Sequence, residues 1–293
     1  MLCVHGKRAD GFHDLTSLMA PIDFGDWLEV RFSEGGDDSL TCKREELPAG
    51  PENLVLRAAA AFRERTGERR HFRFDLEKHV PVGAGLGGGS GNAAAALKAL
   101  NRLCGAPLAF DALEDLAATA GSDCPFFIRA VPAVVRGRGE RLEAVDAATA
   151  ERLKGMRLLV FHPGFGVGTA GAYGRLAAAP ESYARRDEAE AALTSLAAGD
   201  EPANFLRNSF ESPVGTKFLA IPALLSALRE AGAPCGMSGS GSACFAVSER
   251  SAPGEFTRWR KLILDAWGPE AFCIETVFHV QNTDVSERIY GTF

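Results

Sequence analysis

Gly83, Gly85, Gly87, Gly88, Gly89 and Gly91 crowd into the run Pro81-Val82-Gly83-Ala84-Gly85-Leu86-Gly87-Gly88-Gly89-Ser90-Gly91-Asn92. The run passes without a break into Ala93-Ala94-Ala95-Ala96-Leu97, an alanine-rich helix former. Glycine has no Cβ and tolerates positive φ, so such a loop lets backbone approach something bulky. The helix behind it offers unpaired N–H groups and its positive dipole end. The combination predicts an anion site, with phosphate as the usual anion. A purely structural turn needs one or two glycines, not six.

The kind of phosphate loop can be narrowed. No lysine follows the glycines, so the G-x-x-x-x-G-K-[ST] pattern is absent. Gly83, Gly85 and Gly88 formally fit G-x-G-x-x-G, but that fingerprint should carry an acid about 20 positions on. Pro107, Leu108 and Ala109 stand there, and the first acid is Asp111. The preceding residues 71–78, His-Phe-Arg-Phe-Asp-Leu-Glu-Lys, alternate strictly and predict a half-wet strand. A first dinucleotide-fold strand is buried on both faces and continuously apolar. The dinucleotide reading is therefore disfavoured.

Bulk properties exclude several classes. Net charge is −6 without a basic run, against a nucleic-acid partner. No apolar run reaches the 18 residues a membrane span needs. Seven cysteines are dispersed without C-x-x-C spacing, which points to reduced thiols in a cytoplasm rather than disulfides or zinc.

Along the chain, residues 1–5 read as the end of a strand and 6–13 as a polar loop. Residues 26–32 and 39–43 read as strands joined by a hairpin turn at Gly35-Gly36-Asp37-Asp38. Helices are expected over 53–65, with Asn53 a candidate N-cap, then from the glycine loop to about 104, and over 111–120. Residues 133–136 and 140–144 form another strand pair. This is an α+β pattern, not repeated βαβ units. The second half reads as a buried strand at 156–161, helices from 170 and over 181–196, 201–210, 219–231 and 256–267, and a strand at 271–278. A second glycine-rich turn, Gly236-Met237-Ser238-Gly239-Ser240-Gly241-Ser242, leads into a strand over about 243–247. The seam falls near 150–156, giving regions 1–152 and 153–281 and a loosely held tail over 282–293.

Gly121-Ser122-Asp123-Cys124-Pro125-Phe126-Phe127 has two readings. Asp123 is either a local helix cap in a turn, or a partly buried carboxylate that takes a proton from a substrate hydroxyl.

Two glycine-rich loops, one before a long helix and one before a late strand, resemble those of the GHMP kinases. Residues 81–90 match that family's P-x-G-x-G-L-G-S-S-A phosphate loop, here ending Gly88-Gly89-Ser90. Gly6-Lys7-Arg8-Ala9-Asp10-Gly11-Phe12-His13, the Asp123 segment and His162-Pro163-Gly164 are more similar to one branch. Its substrate is a cytidine-diphosphate-linked methylerythritol of the non-mevalonate isoprenoid pathway. The resemblance runs from Met1 to about Phe278. It implies a ribosomal-protein-S5-domain-2-like N-terminal lobe and a ferredoxin-like C-terminal lobe, with the site between them.

It also implies roles. ATP phosphates would sit on Pro81, Val82, Gly83, Ala84, Gly85, Leu86, Gly87, Gly88, Gly89, Ser90 and Gly91. Ser90 would stand near Mg²⁺ or the β-phosphate, or cap the helix, or do both. Asn53 would lie near adenine, or serve only as a cap. Asp123 would be the base for the substrate 2-hydroxyl. Phe12 and Tyr173 would sandwich the cytosine, His13 would hydrogen-bond it, and Thr169 would line the same pocket. Residues 237–242 would support the substrate end. The expected partner is that small molecule, with the protein a monomer or weak homodimer. Another GHMP small-molecule kinase, or a nucleotide-binding protein of low activity, are the alternatives. One departure matters: the branch has a lysine in its first strand, and by spacing to Gly6 it would fall ahead of Met1. Lys7, at the strand's far end, is not expected to replace it. The expectation is that the natural start lies upstream; otherwise the product is a poor catalyst.

Overall fold

The computed structural model describes residues 1–44, 47–48, 50–200, 205–248 and 254–280. Its elements run β1 (Leu2–Lys7), β2 (His13–Met19), β3 (Trp27–Phe32), β4 (Ser39–Cys42), α1 (Leu54–Thr66), β5 (Phe72–Glu77), α2 (Gly88–Leu103), α3 (Phe110–Ala120), α4 (Cys124–Arg129), β6 (Ala133–Gly137), β7 (Arg141–Ala144) and α5 (Ala147–Leu153). They continue β8 (Arg157–His162), α6 (Thr169–Ala177), α7 (Arg186–Ala198), α8 (Glu211–Gly215), α9 (Ala220–Glu230), β9 (Cys235–Met237), β10 (Cys244–Ser248), α10 (Glu255–Trp267) and β11 (Phe272–Val277).

The alternation in β5 buries Phe72, Phe74 and Leu76 on one face while Arg73 and Glu77 stay wet. That face packs with Phe62 of α1, Leu97 and Leu100 of α2, and Phe126 of α4. β5 lies between β3 and β4, antiparallel to the first and parallel to the second. The hairpin expected at residues 35–38 is therefore not formed: the glycines there belong to a connection that crosses to the far side of β5. Asp38 secures that crossing by accepting from the Phe72 N–H at 2.9 Å.

A second sheet runs β1-β2-β6-β7 and a third β11-β8-β10-β9. The third is antiparallel throughout, with α9 ahead of β9 and α10 between β10 and β11. This is the ferredoxin-like order expected of the C-terminal lobe. The open edge of β1 is covered by chain from the second half: Leu2 N–H donates to Arg207 C=O at 2.8 Å, and Ser209 N–H to Leu2 C=O at 2.9 Å. Val4, Leu15 and Val135 share one core with Leu159, Phe161 and Leu225, so the lobes join through packed side chains.

Several expectations need correction. β2 begins at the end of the loop read over 6–13 and runs through residues given no element, and α5 was not anticipated. Residues 205–210 are not helical, while 201–204 lie outside the described residues. The helix expected over 181–196 begins only at Arg186, after a short 3₁₀ turn at Pro180–Ser182. The tail over 282–293 lies outside the described residues.

Under the glycine loop sits a buried ion pair. Asp26 pairs with Lys78, and accepts from the N–H groups of His79 at 2.7 Å and Val80 at 2.8 Å. Burial pulls the Lys78 ammonium pKa down, and the Asp26 charge opposes that pull. Asp26→Ala strands a buried cation and two amides, which costs about 3–5 kcal/mol. Urea denaturation should show that loss, and Asp26→Ala/Lys78→Met should recover a good part of it.

Candidate active site

Gly83, Gly85 and Gly87 hold φ of +66°, +75° and +65°, values that side chains disfavour. The carbonyls of this loop are taken up by the second half of the chain. Val167 N–H donates to Gly83 C=O at 3.3 Å, Ala243 N–H to Ala84 C=O at 2.9 Å, and Ser238 Oγ to Gly85 C=O at 3.0 Å. The approach is close: a Cβ on Gly85 would stand 2.5 Å from the Ser238 carbonyl oxygen, and one on Gly239 2.6 Å from the Gly85 carbonyl oxygen. Among the described residues, the N–H groups of 84–90 donate no hydrogen bond. They line a cavity of about 1070 Å³ at the start of α2. That volume exceeds the usual range for one small-molecule site.

Ser90 is the third residue of α2, whose N-cap is Gly87, so Ser90 is not the cap. Its side chain lines the cavity and interacts with the Cys124 thiol. Gly91 does not reach the cavity. A Cβ there would lie 3.0 Å from the Phe127 ring, so the glycine lets α4 pack directly on α2. Lys98 Nζ fastens the same two helices by donating to Phe127 C=O at 2.8 Å.

That packing brings Asp123 to the site. It occupies the N-cap position of α4 but makes no capping bond. Its carboxylate has no hydrogen bond or ion pair among the described residues, and it lines the same cavity as the glycine loop. The group is accessible from the cleft yet surrounded by protein, and this desolvation raises its pKa above the usual carboxylate value.

Aromatic side chains gather elsewhere on the cavity wall. Phe12 is half exposed. His13 and Tyr173 lie 4.6 Å apart between ring centroids, and Tyr173 meets Phe210 edge-on at 4.8 Å. Tyr183 Oη is 3.3 Å from His13 Nε2. Burial, then the nearby Lys7 charge, lower the His13 pKa, leaving a neutral imidazole at pH 7 that can both donate and accept. Burial, then the Asp123 charge, push the Tyr173 phenol up to about 12. Thr169 Oγ1 meets Ser240 Oγ at 3.3 Å, joining the start of α6 to the second glycine loop.

Of the residues singled out from sequence, 81–90, Phe12, His13, Asp123, Thr169 and Tyr173 all line this one cavity, whereas Asn53 and Gly91 do not. Asn53 spends its side chain locally, with Oδ1 accepting from Val55 N–H at 2.9 Å and Nδ2 donating to Pro48 C=O at 2.7 Å. Lys7 ends β1 and also lies outside the cavity. Of residues 237–242, expected at the substrate end, Met237, Ser238, Gly239 and Ser240 line the cavity, and this second glycine loop packs closely against Gly85.

Family models describe two parts of the chain: the GHMP kinases N terminal domain matches residues 53–130, and the GHMP kinases C terminal domain matches 185–261. This chain belongs to the GHMP kinase family. Among curated relatives, it is 38% identical to the 4-diphosphocytidyl-2-C-methyl-D-erythritol kinase of Methylacidiphilum infernorum, over 87% of this chain and 85% of that protein. Identity to the protein of the same name from Synechococcus sp. (strain CC9902) is 40%, over 83% and 82%. A crystal structure of 4-(cytidine 5'-diphospho)-2C-methyl-D-erythritol kinase superposes with a TM-score of 0.74 at 35% identity, covering 95% of this chain and 96% of that one. Methanococcus jannaschii mevalonate kinase reaches 0.71 at 12% identity, which speaks to the fold alone.

In this GHMP kinase, Lys78, Arg138 and Tyr183 escaped the sequence reading. Lys78 reads as the end of an alternating strand, and Arg138 falls between two strands. Tyr183 carried no local signal. Gly85→Ala tests the loop interlock: the methyl group meets backbone rather than a movable side chain, at a φ that alanine resists. ATP affinity should fall at least tenfold, read by calorimetric titration, and the melting temperature should drop.

Proposed function

We propose that this GHMP kinase uses ATP to phosphorylate the 2-hydroxyl of 4-diphosphocytidyl-2-C-methyl-D-erythritol, yielding the 2-phosphate and ADP. The observation that carries the reading is a single cavity walled by free loop amides, an unpartnered carboxylate and an aromatic cluster. The similarity to curated kinases of that name supports the choice of substrate.

In this reading, the N–H groups of 84–90 and the start of α2 hold the ATP phosphates. Asp123 accepts the hydroxyl proton as the substrate oxygen attacks the γ-phosphorus. The bond from that phosphorus to the β,γ-bridging oxygen breaks, and ADP departs with its electrons. Positioning and charge neutralisation provide most of the acceleration in such a transfer. The base profits from its environment: a carboxylate kept away from hydrogen-bond donors and cations has a raised affinity for the proton it must take.

Magnesium fits this donor set. Mg²⁺ usually keeps several waters and takes one or two protein oxygens plus phosphates. The Ser90 hydroxyl at the start of α2 is the protein oxygen that would hold it. The ion would neutralise phosphate charge there. Among the described residues, no cluster of three or more His, Cys, Asp or Glu could form a protein-only metal cage, consistent with an ion carried in by the nucleotide. At the other end, Phe12 and Tyr173 stack on the cytosine, neutral His13 hydrogen-bonds its edge, and Thr169 closes the wall.

Asp123→Asn should lower kcat by about 10²–10⁴, with both KM values within threefold of the parent. Steady-state kinetics decide this, and near-normal turnover would remove the base. Unfolding is not a rival explanation. A carboxyl whose folded pKa is raised favours folding below its unfolded pKa and loses that contribution as pH rises through the folded value. The uncharged amide should therefore be at least as stable at pH 7 by thermal melting. The same raised pKa places the acid limb of the kcat–pH profile above the ordinary aspartate value of about 4. Phe12→Ala should weaken the cytidine substrate about tenfold, as expected for a lost base stack, and leave ATP affinity intact. Equal loss of both would dissolve the pocket assignment.

A further inference from the structure

Three charged residues line the cavity among those described: Lys78, Asp123 and Arg138. The Lys78 charge is spent on buried Asp26 beneath the loop. Arg138 differs. It sits between Gly137 and Gly139, whose φ values of +75° and +116° belong to a tight turn linking β6 to β7. The β2–β6 register pairs Leu15 with Gly137, which carries Arg138 alongside the Phe12–His13 corner. The guanidinium lies 5.0 Å over the Phe12 ring, within cation–π range. On the other side, a Cβ on Gly139 would stand 4.0 Å from Ser122 Cβ, next to Asp123. The neighbouring acid forms no ion pair with the guanidinium, because Glu140 turns back to accept from the backbone N–H of Arg138 at 2.6 Å; Glu140 and Asp10 feel the arginine's charge only at longer range. Among the described residues, no carboxylate pairs with this guanidinium.

An arginine that lines a cavity with no carboxylate bonded to it, between a stacking ring and a reacting carboxylate, suits an anion that bridges those two groups. We propose that Arg138 is a substrate-binding residue that grips the diphosphate of the cytidine substrate, while Phe12 beneath it orients the fork. The inference rests on the function proposed above and deepens it. In that substrate the diphosphate is the link between the base, held at Phe12, and the alcohol, held at Asp123. The planar fork of arginine matches phosphate oxygens in pairs. The same contact serves specificity. A small alcohol without a nucleoside diphosphate leaves the guanidinium unpaired in the cavity and forgoes its strongest charge contact.

The test separates phosphate from base. Competitive inhibition by CDP and by cytidine is measured on the parent, Arg138→Gln and Arg138→Lys, alongside KM for the cytidine substrate and for ATP. For Arg138→Gln, the CDP inhibition constant and the substrate KM should rise on the order of 10- to 100-fold, the usual scale for a lost charge-assisted bond. The cytidine constant and the ATP KM should stay within twofold. Arg138→Lys should recover part of the CDP affinity. Equal weakening of CDP and cytidine would overturn the proposal in favour of an arginine that only steadies the Phe12 stack. Unchanged constants would also overturn it, placing the side chain away from substrate. If CDP and cytidine both fail to bind the parent protein, the function proposed above falls, and this inference with it.

Discussion

A loop so rich in glycine is expensive to hold still, since each ordered residue surrenders about 1–2 kcal/mol of backbone freedom and glycine surrenders the most. Here the restraint comes from hydrogen bonds that consume the carbonyls of Gly83, Ala84 and Gly85 and spare the amides. This asymmetry turns a flexible segment into a donor surface. With the carbonyls committed to Val167, Ser238 and Ala243, the N–H side is left for a ligand. Because those partners all follow β8 in the chain, the cradle is complete only when both halves are folded and joined. The glycines at 85 and 239 are needed for the same reason: a Cβ on Gly85 would run into the backbone of Ser238 and Gly241, and one on Gly239 into the backbone of Gly85.

The loop is also held from below and beside. The Asp26–Lys78 pair braces its entry, and Lys78 Nζ would lie only 2.8 Å from a Cβ on Gly88, directly under the first turn of α2. Since that pair is neutral as a unit, its contribution to anion binding is rigidity rather than net charge. The attraction comes instead from the unpaired amides and the dipole of α2. Beside the loop, the Gly91–Phe127 contact and the Lys98–Phe127 bond set the spacing of α2 and α4. They fix where Asp123 stands relative to the amides. Cradle and carboxylate are thus two readouts of one helix–helix contact.

What could be read from the sequence follows from the range of the physics involved. Local signals held: Asn53 caps α1, strict alternation made β5, and the glycine run opens α2. Features decided by distant partners did not. Gly35 and Gly36 look like a hairpin turn, yet β5 inserts between the strands they connect, because its buried Phe72 and Phe74 belong at the centre of that sheet. β2 was hidden because the polar residues it buries, Thr16 and Ser17, break the apolar alternation of a strand. α4 was hidden because Pro125 reads as a breaker, although proline is well suited to a first helical turn. Of the two roles open to Asn53, the cap is the one its side-chain bonds serve. Arg138 has no one-dimensional signature at all: only sheet register brings it beside Phe12.

The chain is acidic overall, and under the proposed function its site must gather two polyphosphates around an ionised carboxylate. Each phosphate brought near Asp123 raises the cost of its negative charge and drives its pKa further up, beyond the effect of burial alone. A base driven too far would be protonated at pH 7 and useless for proton abstraction. Neutral amide donors and localised cations resolve this conflict. They lower the phosphate potential at the carboxylate without forming an ion pair with it, so proton affinity stays high while the charge remains tolerable. An arginine over Phe12 does this for the diphosphate, and a nucleotide-borne Mg²⁺ would do it for ATP. The separation of the cations from the base is therefore as much a part of the chemistry as the base.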